Sequence, residues 1–165
     1  MNYTTIKLFN FVTYSINHPN NDANELVISS FKNISMITAV YTPKAPKPLA
    51  RYNQAVIAGN LVFVSALLGQ DPITNELVLD TIEAETTQVL ENIRSILAEA
   101  GLDFSHVVKC SIYLKDMDNY EKMNEVYAKY VAEPFPARET IQVGGLPKNV
   151  NIEISAIAVK PNNDR

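Results

Sequence analysis

The sequence has little cysteine, a small excess of negative charge and no long apolar run, and each of these shortages excludes a class of protein. Its single cysteine, Cys110, excludes an intrachain disulfide framework and a cysteine-rich zinc site, and it fits a reducing compartment. A net charge of −4 and a pI near 5.2 give no electrostatic argument for binding nucleic acid or an anionic membrane. No apolar run reaches the roughly 18 residues of a membrane span. We therefore expect a cytoplasmic protein.

The motifs of several common chemistries are also missing. The sequence contains no Ser-His-Asp arrangement, no phosphate-binding P-loop and no dinucleotide fingerprint. The two histidines, His18 and His106, have no partner at metal-ligand spacing, so we expect no metal site. Cys110 lies among apolar neighbours and is interpreted as a buried, inert thiol.

Length and composition predict one domain with additions at both ends. A chain of 165 residues with 47% hydrophobic residues can bury a sizeable core. Residues 1–35 are rich in asparagine and lack arginine, so we predict a poorly ordered extension, with a strand or short helix at 25–28 as the alternative. Residues 36–160 form the predicted domain and 161–165 a tail. Met36 is a second candidate start of translation.

Alternating apolar residues predict the strands. The segments 37–41, 52–58 and 61–65 come first, and Gly59-Asn60 between the last two predicts a hairpin. Further strands are expected at 107–114, around Arg138, and in a last segment that ends near Val159. Apolar residues on both sides of some strands favour packing against another subunit.

Two amphipathic helices separate these strands. The first is predicted from about Ile82 to Ala100, with Asp80 and Glu83 as a capping box and Gly101 just beyond its end. The second is predicted to begin at Asp118 with Glu121 and to run to about Val131. The element order β-β-β-α-β-α-β-β predicts an α+β fold, with a mixed sheet and both helices packed on one face.

The ribbon from Pro136 to Ser155 contains the most informative polar pattern. Arg138 and Thr140 share one face of the first strand, and Glu153 and Ser155 share one face of the second. If the strands pair as a hairpin across residues 144–149, Glu153 lies roughly opposite Thr140 and beside Arg138. A guanidinium beside a carboxylate suits a small carboxylic acid plus a water; the alternative is a solvated surface ion pair.

The same ribbon resembles the signature of the RidA (YjgF) family of reactive-intermediate deaminases. The matching residues are Pro136-Ala137-Arg138, Leu146-Pro147 and Ile152-Glu153-Ile154. The resemblance extends over residues 36–160. Supporting stretches are Tyr52-Asn53-Gln54-Ala55, Asn60-Leu61-Val62-Phe63-Val64-Ser65, Ala100-Gly101-Leu102, Val107-Val108-Lys109, Tyr113-Leu114-Lys115-Asp116-Met117 and Asn124-Glu125-Val126-Tyr127.

The resemblance implies a chorismate-mutase-like fold, homotrimers and active sites in clefts between subunits. It also implies hydrolysis of 2-iminobutanoate and 2-iminopropanoate, or of their enamine tautomers, to 2-keto acids and ammonia. Pyridoxal-phosphate enzymes such as threonine dehydratase release these imines, and no metal or organic cofactor is needed for their hydrolysis. The partners implied are small 2-imino or 2-keto acids and other copies of the chain, without nucleic acid or membrane.

Roles can be carried over by position. Arg138 would bind the substrate carboxylate, and Glu153 would orient or activate the attacking water. Asn124 would lie near the cleft, and the backbone of Thr140 would help to bind the carboxylate. Tyr52 and Ser65 would line the cleft.

Departures from the family pattern leave the preferred imine open. Ala50-Arg51 replaces a common Gly-Pro, and Ala66-Leu67 replaces a common Gly-Gln after Ser65. Two other functions compete with the enzyme: a non-catalytic regulator that binds small carboxylates, and a ribonuclease that inhibits translation. Retention of Arg138 and Glu153 favours the enzyme, and the acidic pI argues against the ribonuclease.

Overall fold

The computed structural model describes residues 3–7, 13–17 and 37–161. The chain divides into two compact units, Met1–Ser35 and Met36–Arg165. In the first unit, strands β1 (Tyr3–Lys7) and β2 (Thr13–Asn17) pair antiparallel. The predictions of a poorly ordered extension and of an element at 25–28 otherwise lie outside the described residues, as does nearly all of the predicted tail.

The second unit is built on one mixed sheet. The six strands follow the order β3-β4-β5-β8-β6-β7, and every neighbouring pair is antiparallel except β6 with β7. The predicted α+β class and element order are confirmed. The strands are β3 (Ile37–Val40), β4 (Ala55–Ala58), β5 (Leu61–Leu67), β6 (Val107–Leu114), β7 (Ala137–Gln142) and β8 (Ile152–Val159).

Turn chemistry explains the β4–β5 hairpin. Gly59 has a φ of 63°, a left-handed conformation that glycine adopts without steric cost. The turn sets the register so that Ala58 pairs with Leu61. Strand β5 continues two residues beyond its predicted end at Ser65, through a register shift between Val64 and Leu67.

The first helix, α1 (Ile82–Glu99), is capped by Thr81, whose Oγ1 accepts a hydrogen bond from the Ala84 N–H at 3.1 Å. The predicted capping box at Asp80 and Glu83 is therefore wrong by one residue, because Thr81 is the last extended residue before the helix. Gly101 follows the helix at a φ of 76°, as expected of the residue after the C-cap.

The second helix, α2 (Tyr120–Tyr127), begins later and ends earlier than predicted. A 3-10 turn, Met117–Asn119, precedes it, and the Asp116 carboxylate accepts from the Asp118 N–H to cap that turn. After Tyr127 the backbone tightens into three-residue turns, in which the N–H groups of residues 129 and 130 donate to carbonyls three positions back.

Both helices pack on one side of the sheet, here called the helix face. Strand β8 shows why: Ile152 and Ile154 are fully buried, whereas Glu153 and Ser155 on the opposite face are partly exposed. Burial of each large aliphatic side chain stabilises the fold by about 1.5–3 kcal/mol. Fully buried residues on the helix and the sheet include Val89, Leu90, Ile93, Ile96, Leu97, Ile112 and Leu114.

The predicted hairpin between the Arg138 and Glu153 strands is wrong. Strand β6 lies between β7 and β8, and β7 pairs with β6 in parallel after the crossover through α2. The reason is polarity: β7 carries polar side chains on both faces and is stable at the sheet edge, whereas β8 buries four alternate apolar residues and takes a central place.

Candidate active site

Arg138 lies on the helix face of the edge strand β7, where its register partner is the fully buried Cys110. Its Nη1 donates a hydrogen bond to Asn124 Oδ1 at 2.8 Å, and its Nη2 donates to the Tyr120 hydroxyl oxygen at 2.8 Å. The guanidinium carbon also lies 4.9 Å from the ring centroid of Tyr127. Two predicted site residues, Arg138 and Asn124, are thus in direct contact.

No acidic side chain neutralises this guanidinium among residues 37–161. The neighbouring carboxylate, Glu139, points to the opposite face, where it forms an ion pair with Lys109 at 2.9 Å and accepts from the Ser111 hydroxyl. Those interactions, chiefly the Ser111 hydrogen bond, lower the pKa of Glu139. A half-buried cation held only by neutral groups can bind an anionic ligand.

Thr140 lies two residues after Arg138 on the helix face, with Ile112 as its register partner. Its Oγ1 is shielded from solvent and has no hydrogen-bond partner among the described residues. Arg138, Asn124 and Thr140 therefore form one group, here called the anchor group, at the edge of the sheet beside α2.

Glu153 is not part of the anchor group. Its register partner on β6 is Tyr113, so it lies on the opposite face of the sheet from Arg138, and the prediction of a shared face is wrong for a single subunit. Burial raises the pKa of Glu153 because it disfavours the charged form. Within the described part of the chain its carboxyl has no hydrogen bond or ion pair, so it is available to a water.

Ser65 lies beside the segment that carries Tyr52, because it hydrogen-bonds to the backbone of the two residues that follow Tyr52. Ser65 Oγ donates to the Asn53 carbonyl at 2.7 Å, and the Ser65 N–H donates to the Gln54 carbonyl at 3.0 Å. The Tyr52 side chain is 44% exposed, and its hydroxyl accepts from the Leu49 N–H at 3.3 Å. An exposed phenol and a strand hydroxyl at a register shift are suited to contact a ligand.

Sequence reasoning missed two residues that shape these groups. Gln54 is 1% exposed, and its side-chain amide accepts from the Thr42 N–H and donates to the carbonyls of Thr42, Ala45 and Pro46, which fixes the proline-rich segment beside Tyr52. A glutamine at the start of an apolar strand was the available signal.

The second missed residue is Tyr120, the first residue of α2. Its ring packs beside the core, but its hydroxyl contacts Arg138. The spacing of residues 120, 124 and 127 places all three on one side of α2, and that spacing was the available signal. Tyr127 itself is buried, and burial raises its pKa.

No predicted site residue lines either of two surface cavities that lie within residues 37–161. One, of about 200 Å³, lies on the face opposite the helices. The other, of about 350 Å³, lies between residues 41–47 and 72–75. Among the described residues no group of three or more potential metal ligands is found, and no helix is long and apolar enough to cross a membrane.

The chain is similar to one family model and to several named proteins. The family model described as endoribonuclease L-PSP matches residues 42–160. A RutC family protein of Pyrococcus horikoshii is 49% identical over 76% of this chain and 99% of the relative. The 2-iminobutanoate/2-iminopropanoate deaminase of Bos taurus is 41% identical over 73% of this chain and 88% of the relative. The crystal structure of RidA from a Psychrobacter species has a TM-score of 0.72 and 40% identity, covering 74% of this chain and 98% of that one.

Proposed function

Because the chain belongs to the endoribonuclease L-PSP family, which includes RidA, we propose that it is a cofactor-independent imine deaminase. Its substrates would be 2-iminobutanoate and 2-iminopropanoate, and its products the 2-keto acids and ammonia. Relatives named as deaminases suggest hydrolytic deamination. The single cysteine fits a reducing, cytoplasmic setting.

The observation that supports this proposal best is the uncompensated guanidinium of Arg138. A planar fork with free N–H groups suits a carboxylate, which every 2-imino acid carries beside the reacting carbon. The neutral acceptors Asn124 and Tyr120 hold the fork without cancelling its charge. The anchor group can therefore bind the substrate at its one permanent charge and present C2 to a water.

Glu153 is the proposed base that activates the attacking water. Because its pKa is raised, its carboxylate is a stronger base than an ordinary glutamate and can accept a proton from water. The water oxygen then bonds to C2 of the protonated imine, and the electron pair of the C–N double bond moves to nitrogen. Glu153 returns its proton to that nitrogen. The C–N bond then breaks with its electron pair leaving on ammonia, while the C2 hydroxyl becomes the carbonyl of the 2-keto acid and gives its proton to Glu153.

Arg138 and Glu153 lie on opposite faces of one sheet, so we propose that neighbouring subunits of a homotrimer bring them together. The face that carries Glu153 also carries apolar side chains that a second copy would cover, such as Phe63, which is 37% exposed, and its register partner Ile157. A cleft between subunits would place Arg138 of one copy near Glu153 of another and would supply proximity to the reaction.

A coupled assay tests the enzyme. A threonine dehydratase generates 2-iminobutanoate from threonine, and 2-ketobutanoate release is followed with and without this protein. Acceleration beyond the spontaneous hydrolysis of the imine supports the proposal. Binding of 2-ketobutanoate without acceleration would instead identify a non-catalytic carboxylate-binding protein and overturn the deaminase.

A further inference from the structure

We propose that Tyr120 is a positioning residue that orients Arg138 for carboxylate binding, and that its hydroxyl sets the affinity for the substrate. This inference rests on the proposed function only in taking Arg138 as the carboxylate anchor. The supporting observation is that each terminal nitrogen of the guanidinium has a different neutral acceptor, Asn124 on one and Tyr120 on the other, both at 2.8 Å.

These contacts restrict both the rotation of the Arg138 guanidinium and the orientation of its plane. Hydrogen bonds on both terminal nitrogens fix the rotation of the guanidinium within its own plane. The rings of Tyr127 and Tyr120, with centroids 4.9 Å and 5.7 Å from the guanidinium carbon, constrain the plane itself. The remaining N–H groups therefore have a defined direction before any ligand arrives.

The position of Tyr120 is itself preset by local structure. It is the first residue of α2 and follows the Met117–Asn119 turn that the Asp116 carboxylate caps. Its ring packs against the core, so the hydroxyl is held where Arg138 reaches it. A preorganised anchor spares the ligand the conformational entropy of ordering a long side chain, so the benefit is expected in binding rather than in the chemical step.

The variant that isolates this contact is Tyr120→Phe, which removes one oxygen and keeps the ring. A matched control is Tyr130→Phe, because the Tyr130 hydroxyl also makes a 2.8 Å hydrogen bond, to Glu91 Oε1, and its ring packs edge-on against Phe104. The control loses a hydrogen bond of the same length without touching the anchor group.

Two readouts are measured: kcat and KM in the coupled assay, and Kd for 2-ketobutanoate by calorimetry. We expect Tyr120→Phe to raise KM and Kd about fivefold with kcat nearly unchanged, which corresponds to the loss of one ordinary hydrogen bond. Tyr130→Phe should leave KM and Kd unchanged. In an Arg138→Lys background, Tyr120→Phe should have no further effect on Kd.

Several results would overturn the inference. They are an unchanged KM and Kd in Tyr120→Phe, equal effects in both tyrosine variants, a loss confined to kcat, and full additivity with Arg138→Lys. The Kd measurement does not need turnover, so it separates this inference from the deaminase itself. A wild-type protein that binds 2-ketobutanoate but accelerates no imine hydrolysis would overturn the proposed function and still test Tyr120.

Discussion

Arg138 and Glu153 lie on opposite faces of the same sheet, although both belong to the segment 136–155 that resembles the family signature. Their register partners on β6, Cys110 and Tyr113, are an odd number of residues apart, and side chains alternate between faces along a strand. One face is covered by α1 and α2. This separation is the reason for our proposal that a site with both side chains draws them from different copies of the chain.

Replacement of the anchor should affect binding most. In Arg138→Ala, loss of two charge-assisted hydrogen bonds to the carboxylate should raise KM by about 100-fold or more. The control is Arg94→Ala, because Arg94 has a 61% exposed side chain and pairs with Glu91 on the surface of α1. Steady-state kinetics in the coupled assay check both variants, and a normal KM in Arg138→Ala would disprove the anchor role.

Replacement of the base should affect turnover and its pH dependence. Glu153→Gln should lower kcat by about 100-fold or more, because a positioned general base contributes at least that much. In the wild type, kcat/KM should fall as the pH drops through the raised pKa of Glu153, above the ordinary value of 4.5, because protonation removes the base.

The control for this prediction is Glu139→Gln. Glu139 lies on the same face, but its pKa is lowered by the Ser111 hydroxyl and Lys109, so it stays ionised where Glu153 titrates. Rate profiles from pH 4 upward, at about half-unit intervals, would show the acid limb unchanged in Glu139→Gln. An acid limb that persists in Glu153→Gln would assign the titration to another group.

The N-terminus of α1 offers a stability test of the corrected cap. Thr81→Ala should lower the free energy of unfolding by about 1 kcal/mol, because the Ala84 N–H loses its acceptor. Asp80→Ala should have a much smaller effect. Urea denaturation of both variants gives the comparison, and a larger loss in Asp80→Ala would restore the cap that the sequence suggested.

Gly69 is a position where the backbone comes unusually close to α1. A Cβ at this position would lie 2.8 Å from Glu85 Cγ and 2.9 Å from the Glu85 carbonyl oxygen, so Gly69→Ala should destabilise the fold by about 2 kcal/mol. Gly144→Ala is the control, because a Cβ there meets nothing within 4 Å. Equal denaturation midpoints for the two variants would contradict the close packing.

The sequence predicted the elements of this fold better than their pairing. Periodicity identifies which side chains share a face of one strand, so Arg138 and Thr140 were placed together correctly. It carries no information on which strand lies next to which. The parallel pairing of β6 with β7 depends on the crossover through α2, a long-range feature, and it separates Arg138 from Glu153.

The hydroxyl of Tyr120 shows a second limit. Its ring packs against the core beside α2, but a tyrosine at the border of a core can be apolar at its ring and polar at its tip. Only the position of Arg138 in space decides whether that tip has a partner. Local sequence patterns therefore could not predict contacts between elements that are distant in the sequence.

The proposed arrangement of the site between subunits leads to a complementation experiment. Arg138→Ala and Glu153→Gln should each be nearly inactive alone, but a mixed trimer contains clefts with an intact Arg138 from one copy and an intact Glu153 from its neighbour. Random assembly of equal amounts should restore about one quarter of the wild-type sites over all trimers, and about one cleft in three within each mixed trimer, since each cleft needs the right variant on both sides.

The two variants are co-expressed with different tags, and hetero-oligomers are purified before the coupled assay. The control is the double variant Arg138→Ala/Glu153→Gln mixed with wild type. Each cleft of that mixture contains both functional residues, one of them or neither, in known proportion. Recovery of activity in the mixed single-variant sample, well above that of either variant alone, fits shared clefts, because no single chain in it carries both residues. Failure to recover any activity, with hetero-oligomers present, would place Arg138 and Glu153 of one subunit in the same site, against the opposite faces on which the sheet holds them.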